Sequence, residues 1–142
     1  MTDDQYKRVM ALDYGAKRIG IAISDPMMIF ATPFKTILNN NNTWKELEII
    51  IKEKNIIKII LGLPVKESGK ESEIAVNILR FKTDLINKYK TEVELWDERY
   101  TSAIASEMIL LSVSKKKKRR EKGLVDRNAA AVILQEYLNS KG

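Results

Sequence analysis

The stretch "RVMALDYGAKRIGIAISD", residues 8 to 25, decides the fold. "RVMALD" reads as a short apolar strand ending at Asp13, and "IGIAISD" reads as a second strand. The connection between them is too short for a crossover, so the two should pair as an antiparallel hairpin. Its turn region carries a carboxylate (Asp13), two glycines (Gly15 and Gly20) and Arg18. Glycine admits unusual dihedrals or a close approach of another chain segment. Arg18 could hold a phosphate or pair with Asp13. "MMIFATPF" suggests a third short strand around Met28 to Ala31, limited by Pro26 and Pro33.

Outward from the hairpin, the pattern changes to alternation of helices and strands. "NNNN", residues 39 to 42, reads as a polar loop. Thr43 and Glu46 have capping-box spacing and open an amphipathic helix to about Lys54. "IIKIILG", Ile56 to Gly62, is short, rich in Ile and closed by Gly62-Leu63-Pro64, which suits a strand covered on both faces. Ser68 and Glu71 repeat the capping spacing, and Ile74, Ile78, Leu79, Phe81, Leu85, Ile86 and Tyr89 supply helical periodicity. "TEVELWD" alternates as a strand, residues 101 to 113 read as a helix, and a last helix covers about Asp126 to Leu138. The order β-β-β-α-β-α-β-α-α implies an α/β fold. Its mixed sheet has an antiparallel start, parallel later strands joined by right-handed crossovers, and helices on both faces. A chain of 142 residues suits one domain, 1–142, which buries roughly 68 to 70% of its extended surface.

Composition narrows the chemistry. The chain has no cysteine and no histidine, which excludes thiol nucleophiles, Ser-His-Asp triads and Cys/His zinc sites. Apolar residues make up 44% and charged residues 31%, as in a folded, soluble protein. No apolar run approaches the roughly 20 residues needed to span a bilayer. "MTDDQYKRVM" lacks signal-peptide architecture, so a cytoplasmic location is expected. The net charge of +6 equals the charge of one run, "KKKKRR": Lys115, Lys116, Lys117, Lys118, Arg119 and Arg120. Such a run is either a solvated helix end or a contact for a polyanion backbone.

Three carboxylates stand out by position. Asp13 closes the first strand, Glu98 follows the strand ending "ELWD", and Asp126 opens the last helix. Each alone is open to a plainer reading, as a turn residue, a solvated charge or a helix-start residue. If the first and last strands are parallel, Asp13 and Glu98 fall at the same edge, where open sheets bind ligands. Carboxylates gathered there repel unless compensated, and hard divalent cations compensate them. Paired ions of this kind assist phosphodiester cleavage without histidine. Arg99, beside Glu98, could clamp a phosphate or form a surface ion pair.

Taken together and in order, "LDYGAKRIGIA", "LGLP", "LWDERYTS" and "VDRNAAAVILQEYL" resemble the YqgF family from about Val9 to Leu138. That family is described in terms of pre-16S rRNA nucleases, and earlier of Holliday junction resolvases. The resemblance implies an RNase H-like fold with an acidic site on Asp13, Glu98 and Asp126, holding Mg²⁺ or Mn²⁺. It implies substrate contacts at Arg18, Arg99 and the basic run. The implied role is metal-dependent hydrolysis at the 5′ end of precursor 16S rRNA, with that RNA or a pre-ribosomal particle as partner. Branched DNA is the alternative substrate, and a non-catalytic RNA-binding assembly factor is the alternative role. The protein is expected as a monomer or a homodimer, away from membranes. Tyr100 stands where the family pattern has leucine, Asn128 stands where an apolar residue is usual, and "PVKESGKES" varies the loop after "LGLP".

Overall fold

The computed structural model describes residues 6–63, 73–97 and 122–141. The expected helix over 101–113, the Ser68–Glu71 spacing and "PVKESGKES" lie outside these residues. The hairpin forms as expected from β1 (Arg8–Tyr14) and β2 (Arg18–Ser24), antiparallel, with Leu12 opposite Ile21 and Asp13 opposite Gly20. Strand β3 (Ala31–Leu38) extends the meander. Helix α1 (Thr43–Glu53) leads to β4 (Ile56–Leu63), α2 (Glu73–Tyr89) to β5 (Glu92–Asp97), and α3 (Lys122–Lys141) is the last element. The sheet order is β3-β2-β1-β4-β5, with β1, β4 and β5 mutually parallel.

Strand alternation sorts the core into two layers. Met10, Leu12, Ile19, Ile21, Ile59 and Leu61 face α1 and α2, where Leu47, Ile50, Ile78, Phe81 and Leu85 close over them. Tyr14 and Trp44 both pack on Phe81, at ring-centroid distances of 4.8 and 4.9 Å. The Tyr89 hydroxyl donates to the Trp44 carbonyl. Burial, aided by Glu48, pushes that phenol up to about 12. The opposite face is lined by Val9, Ala11, Ala22 and Ile60, and α3 covers it with Ala130, Ala131, Ile133, Leu134, Tyr137 and Leu138. Helices therefore cover both faces. Full burial of each large aliphatic side chain contributes about 1.5–3 kcal/mol.

Two local expectations are corrected. The third strand begins at Ala31, where the sequence suggested Met28 to Ala31, and it continues through Pro33. The preceding residues are a loop because the Asp25 carboxylate accepts the backbone N–H groups of Met27, Ile29 and Phe30. Those bonds, that from Phe30 foremost, hold its carboxyl below the usual range. Pro33 is tolerated because β3 is an edge strand with a register shift opposite Ile21 and Ala22. At the start of α1, Thr43 does not form the expected box with Glu46. Its Oγ1 accepts the Asn40 N–H and donates to the Leu38 carbonyl, while Glu46 reaches Lys35 at 4.0 Å.

The α3 face ends at the sheet's other edge in a charged cluster. Lys58 lies 2.7 Å from Glu94 and 3.0 Å from Glu92, and its ammonium sits 5.0 Å from the Tyr137 ring centroid. Burial by itself lowers the ammonium's pKa; its bonds to Glu94, Tyr137 and Glu92 outweigh burial, and the net shift is upward. A raised lysine pKa contributes stability that is complete below the unfolded value of about 10.4 and is lost above it. Urea unfolding of the parent and Lys58→Met should therefore show a difference that is constant from pH 7 to about pH 10 and shrinks at pH 11.

Candidate active site

The residues expected to form the site divide into two groups. Asp13, Arg18 and Asp126 belong to described elements; Glu98, Arg99 and the run Lys115, Lys116, Lys117, Lys118, Arg119 and Arg120 lie outside the described residues. Asp13 shares the parity of Val9 and Ala11, so it belongs to the α3 face of β1. Its cross-strand neighbour is Gly20, and directly opposed residues share a face. A Cβ on Gly20 would overlap the Asp126 carbonyl and lie 2.8 Å from the Arg127 nitrogen. The helix begins at Lys122, four residues before the expected start at Asp126, so Asp126 is not a helix-start residue; the absent side chain is what lets the second turn of α3 rest on β2 beside Asp13. Gly20 is a close-approach glycine, and the turn alternative for it falls. Gly15 meets the turn itself, since a Cβ there would lie 2.6 Å from the Arg18 carbonyl.

Asp126 is also held from its side chain. The Arg18 Nε donates to Asp126 Oδ2 at 2.9 Å, across 108 positions of sequence. Arg18 thus pairs with Asp126, where the sequence left Asp13 or a phosphate as its partner. The pair is part-exposed, with 33% and 24% of the two side chains accessible. One residue on, Arg127 Nη1 donates to Thr36 Oγ1 at 3.3 Å and ties α3 to β3. Thr36 lies opposite Gly20 in the β2–β3 register. Asp13, Gly20 and Thr36 therefore form one row across three strands, with the second turn of α3 laid over it.

Beyond the row, β4 and β5 extend the same face. Leu12 is level with Leu61 and Leu61 with Leu95, so Gly62 and Trp96 continue the level of Asp13. Trp96 meets Tyr137 edge-on at 5.9 Å. Among the described residues, the Trp96 indole nitrogen and Asn128 Nδ2 are buried without hydrogen-bond partners. Asn128 is the residue that departs from the apolar family pattern. Sequence reasoning missed Arg127 and Thr36, because nothing in the spacing of either residue points to a partner 91 positions away.

Among the described residues, no three His, Cys, Asp or Glu side chains gather as a metal-binding group. The donor chemistry nonetheless fits a hard divalent cation. Asp13 and Asp126 offer carboxylate oxygen only, and the chain has neither imidazole nor thiol to draw a softer metal. Arg18 engages Asp126 through a single oxygen in the geometry described.

A β3-β2-β1-β4-β5 sheet with helices on both faces and an aspartate at the end of its central strand is an RNase H-like α/β arrangement. Solved structures agree on the fold. The T. thermophilus RuvC complex with a Holliday junction substrate superposes with a TM-score of 0.61 at 14% identity over 95% of each chain. A Fowlpox virus resolvase complex with Holliday junction DNA gives 0.58 at 15% identity over 94% of this chain and 98% of that one. The family model described as "RuvX: Holliday junction resolvase" matches residues 7–140. A relative from Sulfurihydrogenibium sp. (strain YO3AOP1) is 40% identical over 134 residues, covering 93% of this chain and 90% of its own. One from Chlorobaculum tepidum is 36% identical over 141 residues and 99% of both chains. Both carry the name "Putative pre-16S rRNA nuclease". The chain belongs to the RuvX family, the YqgF family of the sequence resemblance.

Gly20→Ala tests the close approach. The added methyl must displace the α3 backbone, an overpacking cost of about 1–3 kcal/mol. Thermal unfolding should show that loss while circular dichroism keeps the parent's secondary structure.

Proposed function

We propose that the chain is a metal-dependent endonuclease that hydrolyses phosphodiester bonds in precursor 16S rRNA, at or near its 5′ end. The observation that carries this reading is the row at Gly20, where Asp13 of the central strand and Asp126 of α3 belong to one face of the sheet. The names of the full-length relatives support the substrate. We take residues 1–142 as one nuclease domain acting in the cytoplasm on the RNA or on a pre-ribosomal particle. Among the described residues, no helix is long and apolar enough to cross a membrane.

In this reading Asp13, Glu98 and Asp126 hold Mg²⁺ or Mn²⁺. When bound, such ions supply Lewis-acid activation of water and neutralise charge on the phosphodiester. The chain's own residues do the remainder. Glu98 follows β5 directly, and β5 runs parallel to β1, which favours its arrival at the edge that carries Asp13. Gly20 gives α3 the clearance to present Asp126. Arg18 and Arg99 orient phosphates, and residues 115 to 120 grip the flanking backbone without reading sequence.

The test is cleavage of a structured precursor RNA beside a four-way DNA junction, with Mg²⁺ and with Mn²⁺, by the parent and by Asp13→Asn. RNA cleavage should fall more than about 100-fold in the variant, since even groups that only support metal ligands cost 10–100-fold. Equal rates would remove the assignment. Preferential cutting of the junction would move the substrate to DNA, and binding without cleavage would favour an assembly factor.

The basic run makes a separate prediction. If it meets about four phosphates, log K falls with log salt at about −2.8 for single strands or about −3.6 for duplex. Replacing the six residues with Ser and Gln should flatten that slope.

A further inference from the structure

We propose that Arg18 occupies Asp126 in place of a cation, and that metal binding releases its guanidinium to take a substrate phosphate. The proposal rests on the reading of Asp126 as a metal ligand.

Three features of the pair lead there. First, the bond is direct and lateral, from Nε to Oδ2 at 2.9 Å. A guanidinium bound this way keeps donors on its terminal nitrogens for a second acceptor. Second, the two partners are mounted differently. Arg18 is the first residue of β2, at the mouth of the hairpin turn, and its long side chain can be redirected without moving the strand. The backbone of Asp126 is held, because it is seated on Gly20 and the next residue is tied to Thr36, and its short side chain reaches less far than that of Arg18. When the two separate, Arg18 is the partner that moves. Third, the charges favour exchange. Asp126 balanced by Arg18 is satisfied without metal, whereas a divalent ion on the same carboxylate repels the guanidinium beside it. A phosphate bound nearby by the same ion offers that guanidinium a new, bidentate acceptor.

The two roles open to Arg18, carboxylate partner and phosphate contact, are then successive states of one side chain. Metal and phosphate binding become coupled, because each favours the arrangement the other needs, and such coupling is reciprocal. Free protein binds the ion less tightly than its carboxylates alone would allow. A protein with a phosphodiester in place binds it more tightly.

The test uses the full chain and reads binding, with activity left aside. Mn²⁺ alone is titrated by calorimetry into the parent, Arg18→Gln, Asp126→Asn and the double variant, each checked by thermal unfolding. Arg18→Gln should bind Mn²⁺ about two- to fivefold more tightly than the parent, the scale of a part-exposed ion pair. Asp126→Asn should bind it more weakly. In the Asp126→Asn background, Arg18→Gln should add little, because the pair it breaks is already gone. Arg18→Lys, which keeps the charge and loses the lateral Nε bond, should fall between parent and Arg18→Gln. A phosphorothioate single-stranded RNA supplies the second arm. Mn²⁺ should strengthen its binding to the parent by a larger factor than to Arg18→Gln.

Unchanged or weaker Mn²⁺ binding in Arg18→Gln, with Asp126→Asn still defective, overturns the exchange and leaves the metal reading standing. A full Arg18→Gln gain that persists in the Asp126→Asn background also overturns it, since Arg18 would then act only as a nearby positive charge. Parent-like Mn²⁺ binding by Asp126→Asn overturns the ligand reading, and the exchange falls with it.

Discussion

The contact between Gly20 and the backbone of Asp126 and Arg127 is the constraint on which the site depends. Helices usually stand off a sheet by the length of the side chains between them. Here the missing Cβ lets main chain rest on main chain, and the second turn of α3 meets β2 with no intervening layer. That proximity fixes where Asp126 stands, which in turn fixes where Arg18 finds its partner. The Arg127–Thr36 bond adds a second tie, from α3 to β3. A single glycine thereby sets the geometry of an arginine, an aspartate and a threonine drawn from three elements.

The two layers of the core are built differently, and the difference serves the site. The α1/α2 layer is thick, with isoleucine and leucine from four strands and an aromatic cluster of Tyr14, Trp44 and Phe81. The α3 layer uses alanine on both sides, at Ala11 and Ala22 in the sheet and Ala130 and Ala131 in the helix. The helix alanines follow the contact at Gly20 by one turn, and larger residues, Ile133, Leu134, Tyr137 and Leu138, fill the layer farther along α3. The thick layer supplies most of the burial, and the thin one supplies position. Farther along α3, the Gln135 side chain accepts the Ala31 N–H and donates to the Ile29 carbonyl, so the helix is registered against the start of β3 as well.

Much of this was legible in the sequence where the signal was local. Short apolar runs in residues 8 to 25, the isoleucine-rich β4 and the alternation of "TEVELWD" marked the strands, and short connections separated hairpins from crossovers. Asp13 could be singled out because it ends an apolar strand. What could not be read were features that depend on a distant partner. Gly20 was open between turn and close approach until Asp126, 106 positions later, supplied the reason. Arg18 was left between Asp13 and a phosphate, because nothing local to it points to Asp126, 108 positions away. The start of β3 was misplaced because Asp25 captures three loop amides, a competition between side chain and strand that propensity does not register. Thr43 was misread for the same reason, its hydroxyl being taken up by the preceding turn.

The order of these elements along the chain also has a bearing on folding. Every described member of the thick layer, from Met10 to Val93, precedes α3. A chain emerging from the ribosome can therefore bury that layer while the opposite face of the sheet is still bare. The thin layer joins β1 and β2 to a helix more than 100 residues later, and contacts at such separation carry the loop-closure entropy that slows folding. The seating of α3 on Gly20 has to wait until that helix has been synthesised. Until α3 docks, the nascent protein has a core and an exposed Asp13 but no Asp126 beside it.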